Sequence, residues 1–362
     1  MVVQYKCPDC GSDLSFDSST GMLHCDSCGH NEPIDNLDTQ GDSTIETEPN
    51  ENWDNVHEHA TFGHTDAKEY FCMNCGAMLY TDPDTTATTC SFCGAPVVLA
   101  DRLQGHLAPA KVIPFSISKE QAQAAFKKWC KNGRFAPKDF KVADRIKSIT
   151  GMYVPFFLYD LNGLGELNAT CTKVSSFPKG DYIYTETKYY NVYRNVDLNY
   201  LKIPCDASEK MQDDMMDRLE PFDYSNLKDF EMPYLAGYIA EKYNYDDKAL
   251  FPRVRKRAEE YVDRYMRDTI QGYDSTRINS EHINVQPKDT YYTLLPVWMV
   301  CYDYKDGEHN FAMNGQTGKI VGKPPISIKR VFTWFAGVSI SSYAILQIIS
   351  SILRKCLGGG WF

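Results

Sequence analysis

Between residues 7 and 67 the chain contains no lysine and no arginine. The same stretch holds Asp9, Asp13, Asp17, Asp26, Glu32, Asp35, Asp38, Asp42, Glu46, Glu48, Glu51, Asp54, Glu58 and Asp66, a net of −14. Residues 70–100 carry Asp82 and Asp84 and again no basic side chain. Phosphate contacts supply most nucleic-acid affinity, and they need Lys or Arg. This region is therefore expected to be repelled by DNA or RNA and to contact proteins instead. The whole chain of 362 residues has a net charge of −10, so the remainder is slightly basic.

Catalytic signatures are missing as well. There is no Gly-x-x-x-x-Gly-Lys-Ser/Thr loop, and the glycines and lysines of residues 318–323 have the wrong spacing for one. No Gly-x-Ser-x-Gly elbow and no His-Glu-x-x-His helix occurs. The expectation is a protein that is not an enzyme and takes no small-molecule substrate. A secretory signal is not expected either, since Met1-Val-Val-Gln-Tyr-Lys6 runs straight into the first cysteine motif.

What the chain has is four Cys-x-x-Cys-Gly knuckles. Cys7, Cys10 and Gly11 are followed by Cys25, Cys28 and Gly29; Cys72, Cys75 and Gly76 are followed by Cys90, Cys93 and Gly94. Every cysteine of the second set lies 65 positions after its counterpart, the mark of a duplicated module. Two thiolates two residues apart reach one tetrahedral Zn²⁺ from a tight turn, and a second knuckle closes the site. Glycine follows because the backbone must turn there with φ > 0. Apolar stretches flanking the turn-rich residues 17–21 predict a β-hairpin between the knuckles, and Met78-Leu-Tyr80 followed by Thr81-Asp-Pro-Asp84 predicts its repeat. These are expected to be zinc ribbons with two structural zinc ions per chain. The rivals are disulfides, which reducing cytosol disfavours, and iron in a rubredoxin-like site, whose knuckles usually enclose a longer insert. Cys130, Cys171, Cys205, Cys301 and Cys356 have no metal-like spacing. His57, His59 and His64 lie in a polar linker and are assigned no site.

At the other end, residues 331–353 run without a charge, opening at Val331 and closing at Leu353. Lys329-Arg330 and Arg354-Lys355 bracket the run, and Trp334 and Trp361 stand near its ends. At about 1.5 Å per residue it is long enough to cross a hydrocarbon core of about 30 Å. Thr333, Gly337 and Ser341 give one small face, on which a partner helix is expected. Lys319, Lys323, Lys329 and Arg330 outnumber the two basic residues beyond the run, so the ribbons and main domain are expected to be cytoplasmic. The reading is a tail-anchored, single-pass cell-membrane protein.

The expected organisation is multi-domain. Residues 1–34 form ribbon 1, 35–66 an acidic flexible linker, and 67–104 ribbon 2. Residues 105–325 form an α+β domain with an antiparallel sheet, and 326–362 the transmembrane helix and a short tail. In the α+β domain, 117–132 reads as a helix with Ser118 as N-cap, Gln121 completing a capping box and Gly133 ending it. Strands are predicted at 153–162, 182–201 and 291–304, and helices at 206–219 and 246–271. Residues 154–160 and 295–303 echo each other, each preceding a glycine-bearing turn. If any part of the domain stacks bases, Tyr182, Tyr184, Tyr189, Tyr190 and Tyr193 with Lys188 and Arg194 would do so.

The chain resembles the bacterial proteins labelled TFIIB-type zinc-ribbon-containing. The resemblance is carried by residues 5–29, 90–99, 107–115, 149–160 and 312–325. Some members bear the name of the replication-restart helicase PriA, which does not suit a chain without a nucleotide-binding loop. The resemblance implies a membrane-anchored ribbon protein encoded beside TPM-domain, SPFH-type and phage-shock-type proteins. It further implies recruitment of cytoplasmic factors to the membrane in envelope stress. The expected role is an adaptor or scaffold with membrane-protein and cytoplasmic scaffold partners. The alternative is a nucleic-acid-binding ribbon protein of replication or transcription.

Overall fold

The computed structural model describes residues 2–36, 68–91, 93–103, 109–133, 135–137, 140, 146–304 and 307–357. The acidic linker, apart from its first residues, lies outside them, as do His57, His59, His64 and Trp361.

The N-terminal region contains eight short strands: β1 Val2–Val3, β2 Ser15–Asp17, β3 Met22–His24, β4 Asn31–Glu32, β5 Lys68–Phe71, β6 Met78–Thr81, β7 Thr85–Thr89 and β8 Pro96–Leu99. The duplication survives in the pairing. Leu23 faces Glu32 in β3–β4, and 65 positions later Thr88 faces Val97 in β7–β8. The Lys6–Asp13 bridge likewise has its counterpart in Phe71–Met78. One feature is not repeated. In the first module β2 and β3 pair across the turn as expected, whereas β6 pairs with β5 alone and β7 leaves for the large sheet. The predicted second hairpin is therefore split. The reason is the strand Ile239–Glu241: β8 takes the edge of β7 that β4 takes on β3, and Ile239–Glu241 takes the other edge, where β2 lies in the first module.

The large sheet is completed by β9 Lys111–Val112, β10 Ile146–Lys179, β11 Tyr182–Asp206, β12 Lys228–Asp229, β13 Ile239–Glu241, β14 Ser275–Tyr304, β15 Gly307–Asn314 and β16 Ile320–Val321. Its main path runs β1-β8-β7-β13-β10-β14-β15-β16, with β11 on β10 and β9 between β12 and β14. Most pairs are antiparallel, but β13 runs parallel to β10 and β9 parallel to β14, so the sheet is mixed. The two echoing segments pair directly, with Val154 opposite Leu295 and Tyr153 opposite Pro296.

Strands β10, β11 and β14 are far longer than the sequence suggests. At about 3.3 Å per residue the 34 residues of β10 trace on the order of 100 Å. Gly163 and Gly165, which look like a turn, are strand positions beneath a helix. A Cβ on Gly165 would lie 2.7 Å from Val262 and 2.8 Å from the Met266 sulfur. Glycine is there for close approach.

Helix α1, Lys119–Asn132, has the expected caps: Ser118 accepts from the Gln121 amide, Gln121 reciprocates, and Gly133 ends the helix. Helix α2 is shorter than predicted, Asp213–Arg218, because Cys205 and Asp206 still pair with Phe157 and Phe156 in the sheet. Helix α3, Asp247–Asp268, buries Leu250, Val254, Ala258, Val262 and Met266 against the long strands. The core centres on Phe115, whose ring stacks on Tyr238 at 4.2 Å and meets Tyr153 and Trp298 edge-on. Asn314, wholly buried, donates to the carbonyls of Leu219 and Pro221 and accepts from the amides of Gln316 and Thr317, which pins the turn after β15. Helix α4, Ile328–Leu357, closes the chain. Among the described residues it is the one helix long and apolar enough to cross a membrane, and none of its apolar window is buried.

Candidate metal centres

All four knuckles fold alike. The amide of Gly11 donates to the Cys7 carbonyl at 2.9 Å, and Gly29, Gly76 and Gly94 do the same to Cys25, Cys72 and Cys90 at 2.8 Å. The four glycines have φ between 72° and 78°, the left-handed conformation that the spacing demands. Each turn thereby points two sulfurs the same way.

The eight cysteines come together in two groups, Cys7, Cys10, Cys25 and Cys28, and Cys72, Cys75, Cys90 and Cys93. Within each group the ligand atoms all lie within 4.8 Å of one another. The Cys7–Cys28 and Cys10–Cys25 sulfur pairs are 3.5 Å apart; Cys72–Cys93 and Cys75–Cys90 are 3.7 and 3.8 Å apart. A tetrahedron of Zn–S bonds of about 2.3 Å has edges of about 3.8 Å. The donor sets therefore fit a divalent, thiophilic ion. In both groups the first cysteine of each knuckle is buried and the second exposed.

Protonation within the groups is uneven. The Ser12 hydroxyl and amide bring the Cys10 thiol down to about 6. The Ala95 amide, aided by Asn74 at 3.6 Å, does the same for Cys93, also to about 6. The His30 and Ala77 amides favour the thiolates of Cys28 and Cys75, but sharing of protons with the neighbouring thiols pushes both up to about 12. Four sulfurs this close cannot all ionise unless a cation joins them. Metal capture by these groups would release protons.

The centres are tied to each other and to the large sheet. Gln4 donates to the Cys72 sulfur and to the Pro96 carbonyl, and Lys6 donates to Asn74 at 3.0 Å. Strand β1 pairs with β8, Val2 opposite Leu99. On the domain side the Phe16 amide donates to the Ala236 carbonyl at 2.9 Å, and its ring meets Tyr234 edge-on at 5.4 Å. Strand β13 then joins β7 to β10. Ribbons expected to hang on a tether are instead packed together on the 232–241 segment.

Arg102 is the polar residue that sequence reasoning missed here. It is buried, donates to the carbonyls of Asp82 and Thr85, and lies over the Tyr70 ring at 5.1 Å. Nothing local marks Arg102 or Gln4; their partners are distant in the chain. The other cysteines stay apart from both groups: Cys130, Cys171 and Cys205 are buried in the core, and burial pushes the Cys130 and Cys205 thiols up to about 11 and about 12. The Tyr-rich strand is β11, where Tyr182, Tyr184, Tyr189, Tyr190 and Tyr193 are exposed and Arg194 is held by Thr269.

The Bacillus subtilis (strain 168) protein YdjG, itself uncharacterized, is 53% identical to this chain over 361 residues, covering 100% of both. The chain belongs to the YdjG family. No protein-family model and no solved structure matches it. The end-to-end coverage takes in both cysteine clusters, the mixed sheet and the C-terminal apolar helix, so all three lie within the span shared with YdjG.

Proposed function

We propose that this protein is a membrane-anchored zinc-ribbon adaptor, non-enzymatic, that gathers cytoplasmic proteins at a membrane complex. The observation that carries the reading is helix α4. None of its apolar window is buried among the described residues, and an apolar surface of that length calls for another apolar phase. Anchored there, with the more basic flank on the cytoplasmic side, the chain is tail-anchored and presents its ribbons to the cytoplasm. Zinc fills both four-cysteine groups. Four protein ligands leave no open coordination position, which suits a structural rather than a catalytic ion. The acidic ribbon surface suits a protein partner better than a nucleic acid. The resemblance to TFIIB-type ribbon proteins supplies the setting, envelope stress.

The test uses the full-length chain. Membranes are washed with carbonate, solubilised in detergent, and the tagged protein recovered with its metal content and co-purifying proteins determined. The expected outcome is release by detergent alone, two zinc ions per chain and a stoichiometric protein partner. Full-length protein in the soluble fraction would overturn the anchor. Nucleic acid retained at physiological salt, without a protein partner, would replace the adaptor reading by the nucleic-acid one.

A further inference from the structure

The long strands expose two edges, and they differ. Along β14 the outer edge is blunted: Pro287 removes a donor, and register shifts leave Lys288 and Asn279 as extra residues. Prolines and bulges are the devices by which proteins stop edges from pairing. On β11 the stretch 182–200 pairs with β10 without a register shift, contains no proline, and has no partner on its other side among the described residues. The third strand, β14, begins opposite Thr172, so from Val174 outward the sheet is a two-stranded hairpin. Both of its faces carry exposed apolar groups: Phe177 and Tyr184 stack on one, Val174 and Ile183 lie on the other. A two-stranded hairpin alone in water is marginal.

The charges on this edge select an occupant. Between 182 and 192 the only ionised side chains are Glu186 and Lys188, two residues apart and on the same face. In an antiparallel pairing of β11 with itself, a two-fold axis at Thr187 sets Glu186 opposite Lys188 of the second copy, twice. An axis at residue 186 or 188 would instead oppose like charges, which destabilises. The axis at Thr187 also sets Tyr184 opposite Tyr190 of the second copy, an aromatic cross-strand pair. The overlap runs from 182 to 192. Helix α3 packs on β11 from Val192 onward, through Val262 and Met266, and Tyr190 meets Tyr273, so the covered part of each copy lies at the two ends of the overlap.

We propose that two copies of this chain pair through the β11 edge, antiparallel about Thr187, into one continuous sheet. The interface is isologous and closed, so it makes a dimer rather than a filament.

The experiment reads the mass of the full-length protein in detergent micelles as a function of concentration. The variants are Glu186→Lys, Lys188→Glu and the double exchange. All four positions in the dimer are exposed on a hairpin, so folding is not at stake. Each single variant should raise the dimer Kd by about tenfold, and the double exchange should return it to the starting value. Thr187→Cys should cross-link into a dimer under oxidation that leaves the unaltered protein monomeric on a denaturing gel. A monomeric starting protein, a dimer indifferent to the single charge reversals, or a double variant that stays dissociated would each overturn the proposal.

Discussion

The side-chain amide of Gln4 lies 3.7 Å from the sulfur of Cys72, so a residue before the first knuckle donates to a ligand of the second metal group. The same amide donates to the Pro96 carbonyl at 3.2 Å. The two modules are thus neighbours in space.

Gln4→Ala is expected to destabilise the fold by about 1 kcal/mol, the worth of the hydrogen bonds lost. It should also speed metal release from the Cys72 group while leaving the Cys7 group unchanged, because ligand orientation depends on such outer contacts. Chelator-driven zinc release followed with a chromogenic dye would show one fast and one slow site. Two sites released at equal rates would refute the link.

Cys7→Ser should leave one zinc ion per chain by elemental analysis. The damage should not stay local. Leu14, Phe16 and Leu23 of the first ribbon belong to the main core with Tyr234 and Tyr238, so the melting temperature of the whole domain should fall. A metal content of one with an unaltered melting transition would mean that the ribbon unfolds by itself.

Arg102→Met should cost about 2–3 kcal/mol, since the Asp82 and Thr85 carbonyls lose a charged donor. Arg102→Lys should recover part of this, because a single nitrogen, Nη1, reaches both carbonyls and an ammonium also carries several N–H groups, whereas the planar group lying over Tyr70 is lost. The chaotrope midpoint of each variant decides this; full recovery by lysine would argue for charge alone.

Burial pushes the Asp206 carboxyl up to about 7, with Asp213 and Asp217 adding to it and only the Ser208 amide and Arg253 opposing. One of its oxygens is buried without a partner among the described residues. The folded protein therefore holds a proton that the unfolded chain gives up near pH 4. Stability should be unaffected by this group below about pH 4, fall as pH rises toward 7, and stay reduced above it. Asp206→Asn should remove that slope and stabilise the protein by about 4 kcal/mol at pH 8, with no gain at pH 4. Unfolding midpoints across that range would show it; a parallel shift at both ends would exclude titration as the cause.

Gly165→Ala should destabilise by about 1–3 kcal/mol, because its Cβ would push Val262 and Met266 of α3 off the strands. The measurement is thermal unfolding. An unaltered midpoint would mean that α3 shifts freely.

Local features were readable from the residues alone. The capping box of α1 needs only Ser118 and Gln121 three apart, and it formed as read. The knuckle glycines took the positive φ that their place after cysteine implies. Errors arose where a position answers to something distant. Gly163 and Gly165 resemble a turn until α3 is laid across them. The residues after Tyr80 resemble a hairpin until β13 takes the edge of β7 that β6 would pair with. Parallel neighbours were missed because β13 and β9 are only three and two residues long and carry no pattern of their own.

The sequence by itself determined the two four-cysteine groups, the helix caps and the apolar C-terminal run. Each depends on spacing within a few turns of chain, where covalent geometry does the selecting. Only the tertiary structure decided that the ribbons rest on the 232–241 segment, that Gln4 ties the first ribbon to the second and Arg102 braces the second, and that β11 runs out to an edge unpaired among the described residues. An alternating strand announces which face it buries. Its backbone hydrogen bonds are the same whatever lies beside it, so the choice of neighbour belongs to the packing of the whole.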